Sequence, residues 1–150
     1  MYRMKTGYTV GDAMTMNPIT ISTKKTLRDA ARIMRDEHVG SLLVTEDKNI
    51  VGIVTERDIV KKAVAELGNP SQKKVKEVMA TDLVTTTPEE DIFEAIRIMR
   101  DYNFRHLPVK HGGKIIGLIT MKDILKIEPD LYEILVEKIK LRETERKPVK

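Results

Sequence analysis

The chain has 150 residues, 41% of them hydrophobic, a formal net charge of +4 and no cysteine. This length and apolar content allow one core or two small cores, which excludes a disordered chain. The lack of cysteine excludes disulfides, thiolate nucleophiles and cysteine-based zinc sites. The first residues carry no apolar leader and no run of 18 apolar residues occurs, so we expect a cytoplasmic protein without a membrane span.

The sequence repeats itself at an offset of 65 residues, and Val10–Lys62 aligns with Val75–Ile127 without a gap. The block Arg32–Asp36 recurs intact as Arg97–Asp101. Further identical pairs include Met14/Met79, Thr20/Thr85, Ala30/Ala95, Gly52/Gly117, Thr55/Thr120 and Asp58/Asp123. The repeat predicts two copies of one fold unit, over residues 8–67 and 73–128, followed by a C-terminal helix and tail over 129–150.

Each copy predicts the same elements in the same order. A short extended stretch (19–21; 84–86) precedes an amphipathic helix, whose apolar residues recur at helical spacing from Leu27 to Met34 and from Ile92 to Met99. Two strands joined by a polar turn follow (42–44 and 50–54; 107–109 and 115–119), and a second helix begins near Glu56 or Met121. A final helix is expected over Asp130–Glu145. The fold class is therefore α+β, with two small repeats that share a core sheet against sheet about a pseudo-twofold axis.

The stretches GIVTERDI (52–59) and GLITMKDI (117–124) place Thr-x-x-Asp where a strand gives way to a helix. Threonine at the N-cap with a carboxylate three residues later forms a capping box, which satisfies backbone N–H groups. The same helix start also suits a phosphate, and the aspartate could accept hydrogen bonds from ribose hydroxyls. Gly52 and Gly117 are explained by close packing inside a strand. The spacing alone leaves capping and ligand binding open, and they are compatible.

The paired copies resemble tandem CBS domains (cystathionine β-synthase type), also called a Bateman module. The resemblance rests on GIVTERD and GLITMKD, on Met-x-x-x-Pro-Ile-Thr at Met14–Thr20, on HVGSLLV (38–44) and on FRHLPV (104–109). It covers residues 8–127. It implies binding of AMP, ADP, ATP or an S-adenosyl compound, a disk-like homodimer, and regulation of a protein partner that the sequence does not identify.

The resemblance implies two ligand sites, each built from both copies. The stronger site would place ribose on Asp58 and phosphate on Thr55. Its predicted residues are Ile53, Thr55, Arg57, Asp58, Val84, Thr85, Arg105, His106 and Lys122. The predicted residues of the weaker site are Ile19, Thr20, Val39, Gly40, Ser41, Thr120 and Asp123. The sites are expected to be unequal because Gly40 and Ser41 stand where the other copy has the basic pair Arg105 and His106.

No catalytic motif or cysteine nucleophile is present, so we expect a regulatory module without enzymatic activity, catalytic cofactor or metal. Two alternatives stay open at this stage. The repeats could form a ligand-free dimerisation scaffold, or the pI of about 9.2 could indicate nucleic-acid binding. The tail from Asp130 to Lys150 mixes charges of both signs, which argues against a nucleic-acid surface.

Overall fold

The computed structural model describes residues 5–127 and 129. In chain order the elements are α1 (Val10–Ala13), β1 (Thr15–Met16), β2 (Thr20–Ser22), α2 (Leu27–Glu37), β3 (Ser41–Glu46), β4 (Asn49–Thr55), α3 (Glu56–Asp58) with a π-helical continuation (Ile59–Leu67), a 3-10 turn (Val75–Glu77), α4 (Ile92–Tyr102), β5 (His106–His111), β6 (Lys114–Thr120) and α5 (Met121–Ile127). Apart from residue 129, the predicted C-terminal segment 129–150, with its helix, lies outside the described residues.

The chain forms two compact units whose boundaries fall inside the sequence repeats. Unit A comprises Asn17–Val84, and the described part of unit B comprises residues 5–16, 85–127 and 129. The leading segment of each repeat therefore belongs to the unit formed by the rest of the other repeat. The segment containing α1 and β1 lies in unit B, and the 3-10 turn and Ala80 lie in unit A.

Unit A is a sheet of order β2-β3-β4 packed with its helices. β2 runs parallel to β3, β3 and β4 form an antiparallel hairpin, and Ala80 extends the sheet through a bridge to Ile53. α2 begins with a capping box between Thr26 and Asp29 and buries Leu27, Ala30 and Met34. These residues are three and four positions apart, which places their side chains on one face of the helix. The amphipathic pattern of α2 therefore supplies part of the core.

Unit B repeats this arrangement with its own leading segment. Its sheet has the order β1-β6-β5, and Thr86 adds a parallel bridge to Val109. α4 starts at the cap residue Asp91, which also accepts hydrogen bonds from the backbone N–H groups of Thr6 and Gly7 at 2.9 and 3.1 Å. The buried apolar residues are Val10, Ile92, Ala95, Ile96, Met99, Leu107, Val109, Leu118, Ile119 and Ile124.

The two repeated glycines lie where the leading segment meets the hairpin strand. A Cβ on Gly52 would lie 2.7 Å from the carbonyl oxygen of Ala80 and 3.0 Å from Met79 Sδ. A Cβ on Gly117 would lie 2.9 Å from the carbonyl oxygen of Thr15. Both approaches are too close for a side chain, so the packing explanation for these glycines is confirmed.

The structure confirms the predicted amphipathic helices, both hairpins and the helix starts at Glu56 and Met121. The first extended stretch forms β2 one residue later than predicted, and the second is reduced to the single bridge at Thr86. α1 and β1 were not predicted, because four and two residues are too short to show a period. The expected packing of one sheet against the other stays a prediction.

Candidate functional site

The Thr-x-x-Asp stretch of unit A is a complete capping box at the end of β4. Asp58 N–H donates to Thr55 Oγ1 at 3.2 Å, and Thr55 N–H donates to Asp58 Oδ2 at 3.0 Å. The Thr55 hydroxyl adds a hydrogen bond to the same Oδ2 at 3.1 Å. Extended backbone at Thr55 turns directly into the helix, so the aspartate is fixed beside the helix start.

Unit B carries the same geometry at the end of β6. Thr120 N–H donates to Asp123 Oδ2 at 2.9 Å, and Asp123 N–H donates to Thr120 Oγ1 at 3.2 Å. Both aspartates are half-buried rather than enclosed. The capping prediction is therefore confirmed in both copies. In each copy the capping-box hydrogen bonds to the carboxylate fall on Oδ2.

Lys62 is a charged contact of the Asp58 carboxylate that the sequence analysis missed. Its ammonium lies 3.2 Å from Asp58 Oδ1, one helical turn away, and donates to the carbonyl oxygen of Val78 at 3.3 Å. Spacing of i and i+4 between aspartate and lysine is a signal that the sequence does contain. The equivalent position in the other repeat is Ile127, which cannot make this contact.

The residues at the start of the first strand of each hairpin lie beside the Thr-x-x-Asp of their own unit. In unit A, Ser41 is paired with Thr55 across the ladder, and Gly40 accepts a hydrogen bond from Glu56 N–H at 3.0 Å. In unit B, His106 takes the place of Ser41 and is paired with Thr120. Arg105 accepts from Met121 N–H at 3.1 Å. Directly opposed residues of a ladder present their side chains on the same face, so the threonine has a serine neighbour in unit A and an imidazole neighbour in unit B.

The other predicted ligand residues are divided between the units. Unit A holds Ile19, Thr20, Val39, Ile53, Arg57 and Val84, and unit B holds Thr85 and Lys122. Ile53 is buried, whereas Thr20, Arg57 and Lys122 are exposed. Within unit A, Ile19 meets the hairpin because its carbonyl oxygen accepts from Leu43 N–H at 3.2 Å. The predicted sharing of each site between the two copies stays a prediction.

The described part of the chain contains neither a cluster of metal ligands nor a membrane-spanning helix. In the described part of the chain, no group of three or more His, Asp or Glu residues is placed to hold a metal ion. Across residues 5–127 and 129, no helix combines the length and apolar character needed to cross a membrane.

A hairpin whose second strand turns into a capped helix, present twice with exchanged leading segments, defines a tandem α+β repeat protein. The family model of the CBS domain matches residues 10–65 and 75–130. The chain therefore belongs to the CBS-domain family and contains two CBS domains, as the resemblance implied.

Known proteins of this family are similar along most of the chain. A CBS domain-containing protein of Bacillus subtilis, YhcV, is 32% identical over 77% of this chain and 81% of its own. The CBS domain pair of protein MJ0100, solved in complex with 5′-methylthioadenosine and S-adenosyl-L-methionine, is 26% identical with a TM-score of 0.71, covering 79% of this chain and 94% of that one. The hexameric CBS-CP12 protein from bloom-forming cyanobacteria is 32% identical with a TM-score of 0.72, covering 83% and 73%.

Proposed function

We propose that this protein is a regulatory module that binds an adenosine compound and has no catalytic activity of its own. The ligand class is AMP, ADP, ATP or an S-adenosyl derivative. The observation that carries the proposal is the doubled strand-to-helix junction, in which Asp58 and Asp123 are fixed by the backbone N–H groups of Thr55 and Thr120. The methylthioadenosine and S-adenosylmethionine in the complex of the MJ0100 pair support this ligand class.

The chemistry of the junction suits a nucleoside with a charged or polar 5′ substituent. A carboxylate accepts hydrogen bonds from ribose hydroxyls, as acidic residues do in other nucleotide sites. A helix start offers N–H groups and a partial positive charge to a phosphate, and the Thr55 hydroxyl can donate to a phosphate oxygen. The exposed cations Arg57 and Lys122 lie next to the two aspartates in sequence and add favourable charge.

The proposal extends to unequal sites and to a self-associated protein. The family pattern assigns Arg105 and His106 to phosphate at the Asp58 site, which would then hold phosphorylated ligands more tightly than the Asp123 site. Arg105→Ala should weaken ATP binding more than binding of 5′-methylthioadenosine. We expect a homodimer, and sedimentation analysis decides between a dimer and a larger assembly such as the hexamer of the CBS-CP12 protein.

Regulation would follow from a shift of conformational population. A ligand changes a conformational equilibrium only by its difference in affinity for the two states. Binding at the capped helix starts would favour one state of the module and so alter the surface presented to a protein partner. Proteolysis or hydrogen exchange measured with and without ligand would reveal the change.

The decisive experiment is thermal and chemical unfolding with AMP, ADP, ATP, 5′-methylthioadenosine and S-adenosylmethionine. A ligand at about 100 times its dissociation constant should stabilise the fold by about 2.7 kcal/mol. Asp58→Ala should diminish the effect. Asp29→Ala is the matched control, because Asp29 makes the same two capping-box hydrogen bonds to Thr26 at 3.0 and 3.1 Å on α2, outside the proposed site.

Stabilisation by none of these compounds would refute the proposal, as would an equal response in the wild type and in Asp58→Ala. A dimer that shows no ligand response would instead indicate a scaffold.

A further inference from the structure

We propose that Lys62 is a specificity-determining residue of the Asp58 half-site, because its ammonium competes with a ligand's ribose hydroxyls for the Asp58 carboxylate. The inference rests on the proposed function and deepens it. It concerns a contact that exists in one unit only, since Lys62 lies 3.2 Å from Asp58 Oδ1 while its counterpart in unit B is Ile127.

The competition between Lys62 and the ribose follows from the number of hydrogen-bond acceptor positions on the carboxylate. A carboxylate has two oxygens and about four acceptor positions in total. On Asp58, Oδ2 already accepts from the N–H and the hydroxyl of Thr55, and Oδ1 accepts from Lys62. About one position therefore remains, whereas a ribose diol brings two donors. On Asp123, the contacts among the described residues occupy a single position, through Thr120 N–H.

Lys62 is not needed to orient Asp58. The capping box already fixes the carboxylate, because Asp58 Oδ2 accepts from the Thr55 N–H and the Thr55 hydroxyl, while Asp58 N–H donates back to Thr55 Oγ1. The Lys62 side chain is 48% exposed and that of Asp58 15%, so the ion pair is partly solvated and can be displaced at small expense. Lys62 also donates a hydrogen bond to the carbonyl oxygen of Val78, which keeps the ammonium near the carboxylate. Removing the lysine should therefore release an acceptor without disordering it.

The consequence is a difference in how strongly each half-site recognises the ribose. The Asp58 half-site should discriminate less between a ribose and a ribose without its hydroxyls. The Asp123 half-site, whose carboxylate accepts a single hydrogen bond from the described residues, should discriminate more. A phosphate can partly compensate at Asp58, because a Thr55 hydroxyl that turns to the phosphate vacates one position on Oδ2.

The test compares AMP with its 2′,3′-dideoxy analogue by isothermal titration calorimetry on the wild type, Lys62→Met and Lys61→Met. Both substitutions remove one positive charge from the same helical turn, and Lys61 makes no ion pair with Asp58 in the described structure. The ratio of the two affinities isolates the diol, since each probe carries the same phosphate. Lys62→Met should raise this ratio about two- to fivefold, and Lys61→Met should leave it unchanged. Far-UV circular dichroism confirms that each variant is folded.

The outcomes separate the inference from the proposed function. An unchanged or lowered ratio in Lys62→Met, with clear AMP binding by the wild type, would overturn the competitive role and leave the proposed function standing. An equal rise in both variants would also overturn it, because charge alone would then explain the effect. If the wild type binds none of AMP, ADP, ATP, 5′-methylthioadenosine and S-adenosylmethionine, the proposed function fails and the inference fails with it.

Discussion

Thr86 is the buried polar residue whose replacement should stabilise the protein. The residue is 4% exposed, and its hydroxyl oxygen has no hydrogen-bond partner among the described residues. Both of its backbone polar groups are hydrogen-bonded, since its N–H donates to the Pro108 carbonyl oxygen at 3.0 Å and its carbonyl oxygen accepts from Lys110 N–H at 2.8 Å. The equivalent residue of unit A is Ile21, which is buried in the apolar core of that unit. The hydroxyl therefore occupies a position that the other repeat fills with an apolar side chain.

Thr86→Val should raise the free energy of unfolding by about 1–2 kcal/mol. Leaving a buried hydroxyl unpaired costs about 1–3 kcal/mol, and valine keeps the branched shape while removing that polar group. For a chain of this size the midpoint of thermal unfolding should rise by about 3–6 °C. Urea denaturation followed by circular dichroism gives the free energy, and a thermal scan gives the midpoint.

Two controls separate the hydroxyl from packing in general. Thr86→Ser keeps the hydroxyl and removes a methyl group, so it should destabilise by about 1 kcal/mol. Ile21→Thr places the same hydroxyl in the core of unit A and should destabilise by about 2–3 kcal/mol, through lost apolar volume and an unpaired polar atom. A Thr86→Val variant that is no more stable than the wild type would refute the reasoning, because the hydroxyl would then be satisfied in solution.

Two further predictions concern the attachment of the leading segments. Gly52→Ala should lower the free energy of unfolding by about 2–3 kcal/mol. The new Cβ would lie 2.7 Å from the Ala80 carbonyl oxygen and would break the two backbone hydrogen bonds of the Ile53–Ala80 bridge. A loss below about 0.5 kcal/mol in urea titration would contradict this prediction. For Asp91, burial raises its pKa, but hydrogen bonds from the Phe93, Gly7 and Thr6 N–H groups and from the Thr6 hydroxyl outweigh burial, so the pKa lies below its usual value. A depressed folded-state pKa contributes stability that is present above about pH 4 and is lost as pH falls through the folded pKa. Asp91→Asn should therefore flatten the fall of stability below about pH 4, and an unchanged acid profile would count against the contact.

The sequence predicts those parts of the fold that are encoded locally. Helices α2 and α4 follow from apolar residues at helical spacing, and the capping boxes follow from threonine and aspartate three residues apart. The exchange of leading segments could not be predicted this way, because Met79 and Ala80 meet Gly52 across a separation that leaves no periodic pattern. The sequence shows the methionines and glycines only as identical pairs of the repeat, Met14/Met79 and Gly52/Gly117. Identity between two copies does not tell which methionine contacts which glycine.

The residues of the candidate site also differ in whether local sequence could predict their roles. Thr55 and Asp58 were predicted because their chemistry depends on residues three apart, and the Lys62 contact is equally local at four. The predicted role of Arg105 in ligand binding depends instead on how distant segments meet, and the prediction rests on the family resemblance alone.

The two copies of Thr-x-x-Asp share a backbone geometry and differ in two of the neighbours that the structure describes. Asp58 has a lysine one turn along its helix and a serine across the ladder from its threonine. Asp123 has no lysine at that position and a histidine across the ladder. In both capping boxes the threonine N–H donates to Oδ2 of the aspartate, so under the proposed function a difference in ligand preference would come from these neighbours. If exchanging only the neighbours exchanged the ligand preferences of the two junctions, the aspartates would be equivalent and specificity would lie around them. A variant with Lys62→Ile and Ile127→Lys exchanges one of these neighbours, and the preference for AMP over its dideoxy analogue should rise at the Asp58 junction and fall at the Asp123 junction.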